Sequence, residues 1–307
     1  MAMFSFDTVA ARTFGGACLV LDKNSNPHIA YAGDRGHLML TTRDVNGGWI
    51  YELVPGKGLV GGQDSRVCLQ IDSEGNPHIA FYDYDSDRLI YRFKRNYLWE
   101  ETPIPTSRFG DPRGVSGFDF RLHSGRINPE LRDTPYFTFH DLTTNSLGFT
   151  RKVAGQFKRI LLIPEDNVWN IGKHPSMVFE GDYETLLIAY IEELEDYTAN
   201  PPHTRVRVTR IDDPSKGIVG FTSLLESGRF KIAGPTSITG ATEWCVAYDD
   251  QTNRKLKASV FDLSLTEIHN EIVTDTVFPV VPSVARDPMI RGGYRIAFSD
   301  ATKTSLN

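Results

Sequence analysis

The sequence is short of cysteine, of long apolar runs and of basic charge, and each shortage removes a class of protein. Three cysteines in 307 residues cannot build a disulfide framework. Cys18 and Cys68 sit in apolar runs and read as small buried hydrophobes. No uninterrupted apolar run nears the roughly 18 residues that span a bilayer, so no membrane span is expected. The N-terminus, Met1 to Asp7, shows no basic region followed by a long apolar one, so no signal peptide is expected and a cytoplasmic protein is the default. The net charge of -6 argues against a nucleic-acid partner, which calls for a basic face against phosphates.

Chemistry-bearing motifs are also scarce. There is no Gly-x-Ser-x-Gly, no P-loop and no dinucleotide-binding fingerprint, and no cofactor is expected. The histidines show no HxxxH or HxH spacing, so no metal site is expected. Asp83-Tyr84-Asp85-Ser86-Asp87 alternates acids but lacks the Gly and distal Glu of a calcium loop, and reads as a solvated turn. No helical period appears.

What is there is a repeat. Asp22-Lys23-Asn24-Ser25-Asn26-Pro27-His28-Ile29-Ala30-Tyr31 returns as Asp72-Ser73-Glu74-Gly75-Asn76-Pro77-His78-Ile79-Ala80-Phe81-Tyr82-Asp83. The pairs Cys18/Cys68, Asp22/Asp72, Pro27/Pro77 and Trp49/Trp99 are each 50 positions apart. Each copy holds four short strands separated by turn residues, which describes a propeller blade. Eroded copies follow, and the chain reads as an all-β, six-bladed β-propeller of four-stranded blades in a single domain. The blades fall at approximately 16–54, 66–104, 117–163, 175–225, 236–273 and 282–307. The sixth copy stops before its outer strand, and residues 4–10 are predicted to complete it and close the ring.

Comparing the copies by column sorts scaffold from candidate site. The column of Ala30, Ala80, Thr138, Ala189, Ala247 and Ala297 is small throughout, as close packing between blades requires. Gly33, Asp83, Asp141, Glu192, Asp250 and Asp300 form an acidic column that reads as a turn-capping device. His28 and His78 share a column and read as structural. Ala32, Tyr82, His140, Ile191, Asp249 and Ser299 all differ, as one asymmetric pocket would need, or as a permissive surface would allow. His140, Tyr82 and Asp249 are therefore the candidate catalytic set. Arg66, Arg113, Trp169 and His174, in the connections between blades, are candidate substrate-binding residues. Glu192, opening the 192–204 insertion, and Trp244 join them; the alternative for Trp244 is core. The 192–204 insertion is a candidate lid, and the 123–133 insertion falls on the opposite face as a partner surface or a tolerated loop.

The Asp-x-x-Gly-Asn-Pro-His-Ile-Ala-Phe-Tyr-Asp run resembles repeats found widely in β-propeller proteins. In size, fold and eroded repeats the chain also resembles the hetero-Diels–Alderases of fungal natural-product pathways, which join a tropolone quinone methide to a sesquiterpene such as humulene. That resemblance implies a cofactor-independent cyclase of secondary metabolism acting on a hydrophobic or oxygenated aromatic small molecule. It would use His140 as acid or base, Tyr82 and Asp249 as polar partners, Arg66, Arg113 and His174 to orient the oxygenated ring, and Trp169 and Trp244 along the apolar wall. The alternative is a carbohydrate-binding propeller lectin or a non-catalytic interaction scaffold.

Overall fold

The computed structural model describes residues 17–33, 36–44, 46–55, 67–83, 85–105, 115–126, 128–161, 169–179, 185–194, 204–211, 220–223, 233–240, 243–250, 253–262, 264, 266–275, 282–286, 294–300 and 305–306. Close contacts divide the chain into two compact units, residues 1–114 and 115–307.

The first unit holds two four-stranded antiparallel sheets. Sheet 1 is β1 (Ala17–Leu21), β2 (Pro27–Ala32), β3 (Leu38–Arg43) and β4 (Trp49–Leu53). Sheet 2 is β5 (Val67–Ile71), β6 (Pro77–Asp83), β7 (Arg88–Arg95) and β8 (Leu98–Pro103). The second unit continues the pattern. Sheet 3 is β9 (Val115–Leu122), β10 (Pro135–Asp141), β11 (Ser146–Val153) and β12 (Gln156–Leu161). Sheet 4 is β13 (Trp169–Phe179), β14 (Leu186–Leu194), β15 (Thr204–Ile211) and β16 (Gly220–Ser223). Sheet 5 is β17 (Ala233–Gly240), β18 (Trp244–Asp250), β19 (Lys255–Phe261) and β20 (Glu267–Asp275). The last sheet has three strands, β21 (Pro282–Arg286), β22 (Tyr294–Asp300) and β23 (Ser305–Leu306). Every sheet is an up-and-down meander in sequence order. Residues 4–10, predicted to close the ring, lie outside the described residues.

Within each unit, successive sheets pack face to face. Ala30, Leu40 and Val54 of sheet 1 and its edge meet Leu69, Ile79 and Phe81 of sheet 2 in one cluster. Leu147 and Phe149 meet Ile188 and Tyr190 between sheets 3 and 4, and Leu187 and Val208 meet Trp244 and Phe261 between sheets 4 and 5. Burying one such large side chain contributes about 1.5–3 kcal/mol. Ala30, Ala80, Thr138, Ala189 and Ala247 of the small column are each 0% exposed.

The repeated motif folds as the sequence leads one to expect. Asp72 opens the β5–β6 turn and its Oδ1 accepts from Glu74 N at 2.9 Å and Asn76 N at 2.7 Å. Its Oδ2 accepts from Asn76 Nδ2 at 2.9 Å and lies 3.2 Å from His78 Nε2. Asp22 repeats the backbone bonds to Asn24 and Asn26 at 2.8 Å each, with His28 Nε2 at 3.5 Å. Such turns need one residue at positive φ, and Gly75 (φ 94) and Ser25 (φ 64) supply it. The 50-residue offset, however, slips inside the blade. In sheet 1 Ala30 pairs with Leu40 and His28 with Thr42, whereas in sheet 2 Ala80 pairs with Tyr91 and His78 with Phe93. Third-strand equivalents are therefore 51 apart, because six residues separate the paired Tyr82 and Leu89 where five separate their counterparts Ala32 and Leu38.

One expectation about a connection is corrected. Trp169 and His174 lie within β13, an 11-residue strand, and not in the connection before it. Gly172 (φ 103) and His174 (φ 48) bend that strand, and its register to β14 shifts on either side of Lys173. Gly and Pro175 punctuate the sequence like a loop, but here they mark bulges. In the 123–133 insertion the His123 ring is buried against Tyr136 and Phe179, its Nδ1 accepts from Gly125 N at 3.0 Å, and Pro129–Leu131 forms one 3-10 turn.

Asp72 carries a testable consequence. Burial works against its charge, but hydrogen bonds from His78 and Asn76 outweigh burial and hold its carboxyl well below the usual range. Its contribution is thus present above the unfolded-state value near 3.9 and disappears as pH falls through the lower folded-state value, over about pH 5 to 1. Asp72→Ala should cost about 1–3 kcal/mol at pH 7, since it leaves buried His78 Nε2 and Asn76 N without their acceptor. Urea melts at pH 7 and pH 3 should show that penalty shrinking at the lower pH.

Candidate functional site

Among the described residues, the variable column is not open surface. Ala32, Tyr82, His140 and Ile191 occupy the C-terminal ends of second strands and are all buried. Tyr82 donates its hydroxyl to Asp87 Oδ1 across the β6–β7 turn. His140 is fully buried in β10, opposite Leu147 of β11. Asp249 lies in β18 opposite Leu256, and its side chain lies outside the described residues. Tyr82 belongs to the first unit and His140 and Asp249 to the second. Arg66 and Arg113 fall outside the described residues, as does the Trp169 side chain.

The acidic column divides into two behaviours. Asp83 accepts from Asp85 N at 3.1 Å and Ser86 Oγ at 2.6 Å, and Asp141 from Thr143 N at 2.9 Å. Asp250 accepts from Asn253 N at 3.1 Å and Nδ2 at 2.7 Å, and pairs with Lys257 Nζ at 2.6 Å. These three cap their turns. Glu192 instead points at two cations: its Oε2 accepts from Arg205 Nε and, at 2.9 Å, from Arg207 Nε. It is buried, and neighbouring Tyr190 has its phenol pushed up by burial and by the Glu192 charge. Trp244 is 1% exposed and packs with Val208, Val246, Tyr248 and Phe261, which places its ring in the core. The Cys245 thiol is pushed up to about 12 by burial and by Glu271, which makes it inert near neutral pH.

A concave site does lie in the first unit, and the column comparison missed it. A groove of about 420 Å³ runs between sheets 1 and 2. His28, Leu40, Thr42 and Glu52 form one wall. The β5–β6 turn with Pro77, and Lys94, Asn96 and Tyr97 from the end of β7 and its turn, form the other. Lys94 Nζ donates to both Glu52 oxygens, at 2.8 and 2.7 Å, and Trp99 Nε1 donates to Glu52 Oε1 at 2.8 Å. These bonds join β4 of sheet 1 to β7 and β8 of sheet 2 and fix the polar end of the groove.

Tyr97 stands at its rim, 92% exposed with φ 65, and Asn96 before it has φ 50. Two positive φ values make the tight turn that suits the twist of a hairpin, and glycine is favoured at its second position. The corresponding turns of sheets 1 and 3 carry Gly47 (φ 84) and Gly155 (φ 82). Tyr97 is the departure. The available sequence signal was an aromatic ring where the twin copy has Gly47.

No family model matches the chain, and no curated protein matches it in sequence. Solved structures do share its fold. The BP39L lectin from Burkholderia pseudomallei superposes with a TM-score of 0.64 at 11% identity, over 94% of this chain and 80% of that one. The GH93 α-L-arabinofuranosidase of Fusarium graminearum, solved with arabinobiose, gives 0.60 at 10% identity over 92% and 87%. A protein of unknown function from Dyadobacter fermentans gives 0.60 at 11% identity over 93% and 89%. The chain therefore has a β-propeller-like all-β fold. Among the described residues, no helix is long and apolar enough to cross a membrane.

Glu192 offers a direct measurement. Replacing it with Ala removes the buried carboxylate that Arg205 and Arg207, the latter 11% exposed, both face. Losing one partner of a buried ion pair costs about 3–5 kcal/mol. Glu192→Ala should lower the unfolding free energy by that amount in denaturant melts, whereas a residue serving only as a ligand contact would leave it unchanged.

Proposed function

We propose that the protein is a carbohydrate-binding β-propeller, of lectin type, that holds a sugar in the groove between sheets 1 and 2. The reading keeps the six-bladed ring closed by residues 4–10 that the sequence leads one to expect. Tyr97 is the observation that carries it. A bulky residue in the left-handed region costs roughly 1–2 kcal/mol. Here that cost is accepted at an exposed rim, where two sister turns use glycine. Strain retained at the mouth of a groove points to a use for the ring, and an exposed ring beside amides and a carboxylate is the chemistry that stacks on a sugar face and bonds its hydroxyls.

Binding is favoured over hydrolysis. A glycosidase needs one carboxyl held protonated, hence shifted up. Among the described residues, the carboxyl groups with altered acidity, Asp22, Asp72, Asp250 and Asp262, are all shifted down. The fold likeness points to carbohydrate without choosing between binding and hydrolysis: the two neighbours named by activity above are a lectin and an arabinofuranosidase, and neither is a cyclase. The cyclase reading built on His140, Tyr82 and Asp249 has no observation behind it and is not carried forward.

Tyr97→Gly separates stability from function. It should raise the unfolding free energy by about 1 kcal/mol, by relieving the left-handed strain. It should also weaken binding of glycans identified on an array by about 3- to 10-fold, the loss of one stacked ring. A variant that is more stable and binds equally well would sink the assignment of the ring.

A further inference from the structure

The groove opens where sheet 1 departs from sheet 2. In sheet 2, His78 is covered by two rings. Its Nδ1 lies 2.6 Å from the Tyr91 hydroxyl, and its imidazole stacks on Phe93 with centroids 5.6 Å apart. Strand register sets His78 opposite Phe93 and Ala80 opposite Tyr91. The same register in sheet 1 sets His28 opposite Thr42 and Ala30 opposite Leu40. Leu40 and Thr42 thus stand where Tyr91 and Phe93 stand in the twin, and both line the groove together with His28.

His28 keeps the rest of the twin's arrangement. Its Nε2 faces Asp22 Oδ2 at 3.5 Å. A carboxylate only accepts, so in the neutral ring Nε2 carries the proton and Nδ1 is an acceptor. Nδ1 is shut off from solvent and has no hydrogen-bond partner among the described residues. In sheet 2 the equivalent atom is matched to a hydroxyl carried on a six-membered ring.

We propose that the groove is a ring-binding subsite. A sugar ring takes the place that Tyr91 and Phe93 fill in sheet 2, and one of its hydroxyls donates to His28 Nδ1 as the Leu40 side chain turns aside. This rests on the carbohydrate reading and names the residues that would read the sugar. An unpaired buried acceptor is unfavourable, and the ligand hydroxyl relieves it as the Tyr91 hydroxyl does in the twin. Lys94 and Glu52 answer each other's charge across the groove, so the subsite selects a neutral sugar over an acidic one.

The test restores the twin. Leu40→Tyr and Thr42→Phe each put back one ring; Thr42 is half-buried, so its variant has room to fold. Wild type and variants are titrated calorimetrically with the methyl glycosides of galactose, mannose, fucose and glucuronic acid, and with p-cresol as a ring hydroxyl that is not a sugar. The wild type should bind at least one neutral glycoside, and each variant should bind it at least tenfold more weakly with an unchanged or raised melting temperature. The 15N resonance of His28 Nδ1 should move on ligand addition in the wild type and stay still in Leu40→Tyr. Folded variants that keep full affinity would overturn the subsite and leave the carbohydrate reading standing. A wild type that binds none of the compounds would overturn both. Binding of p-cresol alone would overturn the sugar assignment, and a preference for the glucuronide would overturn the neutral selectivity.

Discussion

A four-stranded meander that buries both faces must let its neighbours come close, and the rest of the molecule depends on that approach. Two packed sheets lie about 10 Å apart. That distance holds only if the middle of each sheet is small. Ala30, Ala80, Thr138, Ala189 and Ala247 meet the condition at the centre of five second strands, all fully buried. Large side chains are then displaced to the flanks, where Phe81, Phe149 and Trp244 fill the space between sheets. Polar groups are pushed further out, to the turns. There a carboxylate at the start of the turn gathers the backbone N–H groups that the strands leave over.

This order explains why the acids fall into groups. Asp22, Asp72, Asp83, Asp141 and Asp250 spend their oxygens on turn donors. Glu192 has one more methylene and sits where β14 runs on for two further residues, so it reaches across to β15 and meets Arg205 and Arg207. The column looks uniform in sequence but holds two devices, one local and one between strands. Carboxylates engaged in this way are poorly placed to act as acids.

The scaffold was legible in the sequence because its rules are local. Turn residues at fixed spacing and apolar runs of strand length marked nearly every strand, and self-comparison found the small column. What failed to show was anything that depends on pairing across strands. The one-residue slip between β3 and β7 hid the match of Leu40 with Tyr91, because a constant offset lines Tyr91 up with Thr41 instead. The bulged half of β13 reads as a loop because Gly172, His174 and Pro175 carry loop chemistry inside a strand. The variable column drew attention as a possible site, yet Tyr82 and His140 are buried. Variation there is met by local packing, and variation at the groove is not.

That contrast points to a general way of reading a degenerate repeat. Variation between copies is informative when it leaves a physical requirement unmet in one copy and met in another. Exchanging Ala32 for Tyr82 leaves nothing unmet, because the tyrosine hydroxyl finds Asp87. Exchanging Tyr91 and Phe93 for Leu40 and Thr42 leaves a histidine nitrogen unmatched beside a groove. Exchanging Gly47 for Tyr97 leaves backbone strain at the rim of the same groove. Two unrelated departures, one in hydrogen bonding and one in backbone geometry, fall on one surface. Their convergence is therefore the reason to seek the ligand between sheets 1 and 2.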